Sequence, residues 1–173
     1  MKIEFILLSA LYASNAFCMA SDLPNFHEVV KNQIYRSGQP TQTGLEDLAQ
    51  MKIKTDLDLR DEDPVRLDEE REQARTLGLD FISVPLSGLL SPSDADINKI
   101  ENILQDPNAQ PVLVHCLHGE DRTGLVIGLY RVFVQHEDPK VAYDEMLKYG
   151  FHPILLGLKD YFDDKTGLDG IGH

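Results

Sequence analysis

Between residues 111 and 135 the chain passes from an apolar run, through a short polar loop, into a second apolar run. Pro111-Val112-Leu113-Val114-His115 has the length of a strand, and its lack of polar alternation suits a strand covered on both faces. Thr123 to Gln135 is apolar over a length that suits a packed helix. A buried strand feeding a buried helix is the repeating unit of a sheet with helices on both sides. The joining loop, Cys116-Leu117-His118-Gly119-Glu120-Asp121-Arg122, then falls at the carboxyl end of a central strand, where such sheets place ligands.

The flanking sequence repeats the alternation. Gln33 to Ser37 is a strand candidate ending at Gly38-Gln39-Pro40, and Thr41 to Met51 reads as a helix with Leu45 and Leu48 on one face. Thr55-Asp56-Leu57-Asp58-Leu59 alternates with the period of a strand. Pro64 opens a helix carrying Leu67, Arg71, Ala74 and Leu77, closed by Gly78. Leu79 to Val84 is a strand stopped by Pro85, and Ser93 can cap a helix reaching Leu104, with Asp94 and Asp96 in its first turn. Helical stretches follow at Pro139 to Tyr149 and Pro153 to Phe162. The predicted fold is α/β, a central mixed and mainly parallel sheet flanked by helices.

The amino terminus reads differently. Lys2, the apolar Phe5-Ile6-Leu7-Leu8 and the small residues up to Ala20 match a signal peptide over residues 1–20, which predicts a periplasmic or secreted protein. The apolar run is too short for stable membrane insertion. Residues 21–163 are expected to form one domain and 164–173 a flexible tail. With the leader removed, Cys116 is the single thiol, so no internal disulfide supports the fold. A formal charge of −13, from 16 basic and 29 acidic residues, argues against nucleic acid as a partner. It leaves room for a small anion in a locally positive pocket. A monomer is the expected state.

The loop has the parts for that anion. Backbone N–H groups between a strand and a helix N-terminus can converge on one point, and Gly119 permits a tight turn there. Arg122 offers a planar guanidinium that can grip two phosphate oxygens, and the same field favours a Cys116 thiolate.

His115-Cys116-Leu117-His118-Gly119-Glu120-Asp121-Arg122-Thr123-Gly124 resembles the HCx5RT signature of the protein tyrosine phosphatase superfamily. The run from Tyr35-Arg36-Ser37-Gly38-Gln39-Pro40 to Tyr149 resembles small bacterial dual-specificity-like phosphatases, and the Cys-x-x-Gly-x-x-Arg spacing resembles the phytase-like inositol phosphatases. The resemblance implies a protein-tyrosine-phosphatase-like fold and a phosphocysteine formed on Cys116 and hydrolysed by water. It implies that Arg122 steadies the phosphoryl oxygens, Thr123 donates to the sulfur, and His115 supports loop geometry and thiolate formation from behind without contacting substrate. Leu117, His118, Gly119 and Glu120 would line the substrate, with Arg36 and Lys148 adding charge, and neither metal nor cofactor is implied. Relatives carry an acidic aspartate just after the strand at Phe81 to Val84, where this chain has Pro85-Leu86-Ser87-Gly88. Asp94, Asp121 and Asp96 are therefore the candidates for the general acid. Asp61-Glu62-Asp63 and Asp68-Glu69-Glu70 read as a solvated charged face. The implied substrate is an inositol polyphosphate or related small phosphomonoester. A phosphotyrosine protein is the second reading, and a weakly active phosphate-binding pseudophosphatase is the reading of another class.

Overall fold

The computed structural model describes residues 22–168, so the expected leader over 1–20 lies outside the described residues. In chain order the elements are β1 (His27–Val30), β2 (Ile34–Ser37), α1 (Gln42–Gln50), β3 (Thr55–Asp58), α2 (Pro64–Leu77) and β4 (Asp80–Ser83). They continue as α3 (Asp94–Gln105), β5 (Val112–His115), α4 (Asp121–Phe133), α5 (Pro139–Lys148) and α6 (Leu156–Thr166). The strands form one sheet in the order β1-β2-β5-β3-β4, with β1 antiparallel to β2 and every other pair parallel. This is the expected mixed, mainly parallel sheet, and its middle strand is β5.

The apolar run Val112-Leu113-Val114 of β5 follows from that place. Val112 and Val114 face a core built with Ile100 and Leu104 of α3, Leu125 and Leu129 of α4, and Phe162 of α6. Leu113 faces the opposite core, with Leu45 and Leu48 of α1 and Ala74 of α2. Both sides of the strand are dry, so no residue in it can be polar without a buried partner.

Side chains close the helices where the sequence predicts. Thr41 accepts from Gly44 N at 3.1 Å, Ser93 accepts from Asp96 N at 3.1 Å, and Gly78 ends α2 at φ 80°. Three boundaries differ. Edge strand β1 was not predicted, because its exposed His27-Glu28 carries no apolar alternation. Helix α6 begins at Leu156 rather than Pro153, after a turn closed by Leu155 N donating to His152 O at 3.0 Å. It then runs on to Thr166 and is capped by Gly167 at φ 71°, so the start of the expected tail is helical. Burial of Tyr161, Phe162 and Asp163 holds that end in place. Among the described residues no helix is long and apolar enough to cross a membrane.

Candidate active site

The loop after β5 is shaped by contacts with the end of β2. Gly119 sits at φ 74°, and a Cβ there would lie 2.4 Å from Gly38 N. Both the backbone conformation and the space therefore require glycine. Gln39 N donates to Leu117 O at 3.1 Å, and Asn25 Nδ2 bridges Gly119 O and Tyr149 O at 3.0 Å each.

Arg36 was expected to add charge to the pocket, and the structure corrects this. Its side chain is 1% exposed and donates through Nη2 to Gly119 O at 2.6 Å, with its guanidinium 4.6 Å from the Tyr149 ring centroid. It braces the loop instead of reaching a ligand. Its place on β2, beside the loop of neighbouring β5, puts it there. Lys148 is exposed and lies against the same Tyr149 ring. His118 is exposed, and Glu120 packs beneath Gly150.

Cys116 is buried at the head of the loop, and Arg122 occupies the first turn of α4. Arg122 Nη1 donates to Glu62 Oε2 at 2.6 Å and to Asp61 Oδ1 at 3.1 Å, while Nη2 donates to Glu62 Oε1 at 2.7 Å. Nε donates to none of the described residues. The far edge of the guanidinium is thus clamped, while Nε and a second Nη2 hydrogen remain for a phosphoryl group. The Arg122 hydrogen bond holds the Glu62 pKa down at about 2, whereas burial raises that of Asp61. Burial opposes the charge on Arg122, yet Glu62 and the neighbouring charges hold its pKa above the usual arginine value. Asp61 and Glu62 are thus partly exposed, as a charged surface would be, yet both are tied to Arg122. They belong to the site and were missed because they look like any charged turn in sequence.

Glu70 is likewise misplaced by the surface reading. It is 4% exposed and accepts from Arg60 Nη2 on Oε2 at 2.7 Å. A signal was available: positions 67, 70, 74 and 77 share one helical face, so Glu70 falls within the inward stripe. His115 is fully buried, with Nε2 2.9 Å from Glu70 Oε1 and 3.2 Å from Asp56 Oδ1. Thr123 is buried but its Oγ1 has no hydrogen-bond partner, so the implied bond to the Cys116 sulfur is not formed.

The three acid candidates have different surroundings. Asp94 accepts from Tyr161 Oη and from Lys165 Nζ, both at 2.9 Å, and the Lys165 contact lowers its pKa. Asp96 forms the reciprocal cap of α3 with Ser93, whose Oγ donates to it at 2.6 Å. Asp121, inside the loop, accepts from His152 N at 2.8 Å and lies 3.1 Å from His152 Nδ1. Only the last belongs to the loop that carries Cys116 and Arg122. Among the described residues two groups of side chains converge closely enough to hold an ion, buried Asp56, Glu70 and His115, and the rim residues Glu120, Asp121 and His152. A cavity of about 480 Å3 flanks the loop, with Leu117, Gln39, Arg66 and Glu70 in its wall.

A family model described as "DSP-PTPase phosphatase fused to NAD+ Kinase" matches residues 18–156. The dual specificity protein phosphatase TpbA of Pseudomonas aeruginosa is 31% identical over 120 residues, 68% of this chain and 51% of that one. The inositol diphosphatase SIW14 of Saccharomyces cerevisiae is 31% identical over 132 residues, 73% of this chain and 46% of its own. The chain thus spans about half the length of these curated relatives. The crystal structure of the core catalytic domain of SIW14 from S. cerevisiae, in complex with citrate, superposes with a TM-score of 0.69 at 29% identity. That match covers 86% of this chain and 91% of the other.

Proposed function

The chain belongs to the protein tyrosine phosphatase superfamily, in its dual-specificity-like and inositol-phosphatase branch, and from that premise we propose that it is a cysteine-dependent phosphomonoester hydrolase. The observation that carries the reading is Arg122, held by Glu62 so that its Nε edge stays open, at the end of the loop that begins at Cys116. The Cys116 thiolate attacks phosphorus, the S–P bond forms, and the ester P–O bond breaks. Water then attacks the phosphocysteine and releases phosphate and thiolate. Arg122 and the loop N–H groups hold the phosphoryl oxygens through both steps.

The leaving oxygen needs a proton, and water must lose one in the second step. We assign both transfers to Asp121, positioned by His152. Asp94 is tied to Lys165, which favours its carboxylate, and Asp96 is tied to a helix cap. Asp121→Asn should slow esters with poor leaving groups far more than p-nitrophenyl phosphate. Equal slowing of both, or a stronger contrast in Asp94→Asn, would overturn the assignment.

Similarity to SIW14 supports an inositol polyphosphate or related small phosphomonoester as substrate. The second reading, a phosphotyrosine protein, is supported by the similarity to TpbA and by Asp61, Glu62, Glu120 and Asp121 around the loop, which oppose a polyanion. Phosphate release from inositol phosphates and from phosphotyrosine and phosphoserine peptides separates them, with Cys116→Ser as the blank. Tight phosphate binding with no turnover on any ester would instead identify a pseudophosphatase. The leader-like residues 1–20 support export to the periplasm or beyond, and N-terminal sequencing of the protein from cells tests whether they are removed.

A further inference from the structure

Exposed apolar side chains gather beside the phosphate loop. Leu89 is 71% exposed, Leu90 70%, Ile154 83% and Leu156 62%, and among the other described large apolar residues only Val65 is as open. A single exposed leucine is ordinary, but a group of them on one face marks a surface that meets something else. The four come from two segments that touch. A Cβ on Gly157 would lie 2.3 Å from Leu89 O and 2.7 Å from Leu90 C, so the turn at Leu89-Leu90 rests directly on the start of α6. Ser91 Oγ donates to Gly157 O at 2.9 Å across the same contact.

Both segments are fixed by hydrogen bonds. Ser87 Oγ accepts from Leu89 N at 3.2 Å and from Leu90 N at 3.1 Å, and Leu86 N donates to Leu59 O at 3.0 Å. Leu156 N donates to Ile154 O at 3.0 Å. The apolar groups are thus held out to solvent by ordered turns. They also adjoin the reacting groups at both ends. Arg122 Nη1 donates to Leu86 O at 3.4 Å, three residues before Leu89, and Asp121 accepts from His152 N at 2.8 Å, two residues before Ile154. Three residues of chain reach at most about 11 Å, so a residue next to a bound phosphoryl group can cover this surface.

Charge restricts what the occupant can be. Asp61 and Glu62 lie beside Arg122 and Asp121 beside His152, and the whole chain carries a formal charge of −13. A second phosphate next to the first would meet those carboxylates, and an anionic membrane would meet the charge of the whole surface. A peptide with one phosphorylated residue and an uncharged apolar neighbour meets neither obstacle. We propose that Leu89, Leu90, Ile154 and Leu156 form a specificity surface that selects phosphopeptide segments carrying an apolar side chain next to the phosphorylated residue. The inference rests on the Cys116 loop being the phosphatase site, and it takes the second of the two substrate readings.

The test compares two phosphotyrosine peptides of equal charge, one with leucine and one with serine on both sides of the phosphotyrosine. Both are assayed on the full chain and on a Leu90→Ser/Ile154→Ser variant. In the unaltered protein kcat/KM should favour the leucine peptide by roughly tenfold, and in the variant by about twofold or less. Each ratio is taken within one protein, so a general loss of activity cancels. A ratio near one in the unaltered protein, or the same ratio in both proteins, overturns the proposal. Turnover of inositol phosphates with none of either peptide also overturns it, while leaving the phosphatase reading in place. If no ester is turned over, that reading fails, and binding of the two peptides to Cys116→Ser, read by fluorescence anisotropy, decides. Roughly tenfold tighter binding of the leucine peptide then supports the surface, and equal binding overturns it. A dimer, or binding to phosphatidylcholine vesicles, that the double substitution abolishes while the two peptides are treated alike overturns it too, because the patch then has another occupant.

Discussion

Glu62→Gln tests the clamp on Arg122 through stability and catalysis together. The glutamate pKa falls from 4.5 to about 2 in the folded chain, chiefly through its hydrogen bonds from Arg122. At roughly 1.4 kcal/mol per pH unit, that difference sets a ceiling of ~3 kcal/mol. Glu62 is 38% exposed, and solvent screening brings the expected contribution to ~1 kcal/mol. The sign follows from the lowered pKa: the contribution is complete above pH 4.5 and is lost as pH falls toward about 2. Urea denaturation at pH 7 should show Glu62→Gln less stable by that ~1 kcal/mol, and the two proteins should converge only as the pH falls to about 2 and below. Catalysis should change as well. Glutamine can accept one of the two Nη hydrogen bonds but lacks the charge to hold the fork, so kcat/KM should fall by about tenfold, mostly in kcat. A rise in kcat/KM would refute the reasoning, because it would mean that Glu62 competes with phosphate for Arg122 instead of aiming it.

Gly119→Ala should abolish turnover and lower stability by about 2 kcal/mol or more, read by thermal unfolding, because φ 74° and the 2.4 Å approach to Gly38 N leave no room for a methyl group. Arg36→Met should lower kcat/KM roughly tenfold without removing any cation from the pocket, so KM should be nearly unchanged. A large rise in KM would mean that Arg36 reaches the substrate after all. Leu113→Ala, at a fully buried centre of the sheet, should cost about 3 kcal/mol in urea denaturation while leaving the pH profile of activity in place.

The loop was legible because its parts are local. Cys116, Gly119 and Arg122 lie within one strand–loop–helix crossing, and each advertises its role through residue type. What holds the loop was not legible, because it arrives from the other side of the sheet order. Arg36 comes from β2 and Asp61, Glu62 and Glu70 follow β3, the two strands that flank β5. Short-range patterns carry no mark of that adjacency. The alternation Thr55-Asp56-Leu57-Asp58 misleads in a specific way. In a half-exposed strand, alternate polar residues face water. Here both faces are covered, so the polar positions are buried and must be charge-paired. An aspartate in such a strand costs stability unless something fixed compensates it, and Arg60, two residues on from Asp58, pairs with that aspartate but not with Asp56. Asp56 therefore has its counterpart in His115, the residue before Cys116. A polar alternation in a strand that the sheet order places between two others is thus itself a pointer to a buried charge network, and in this chain the network reaches the Cys116 carbonyl through His115.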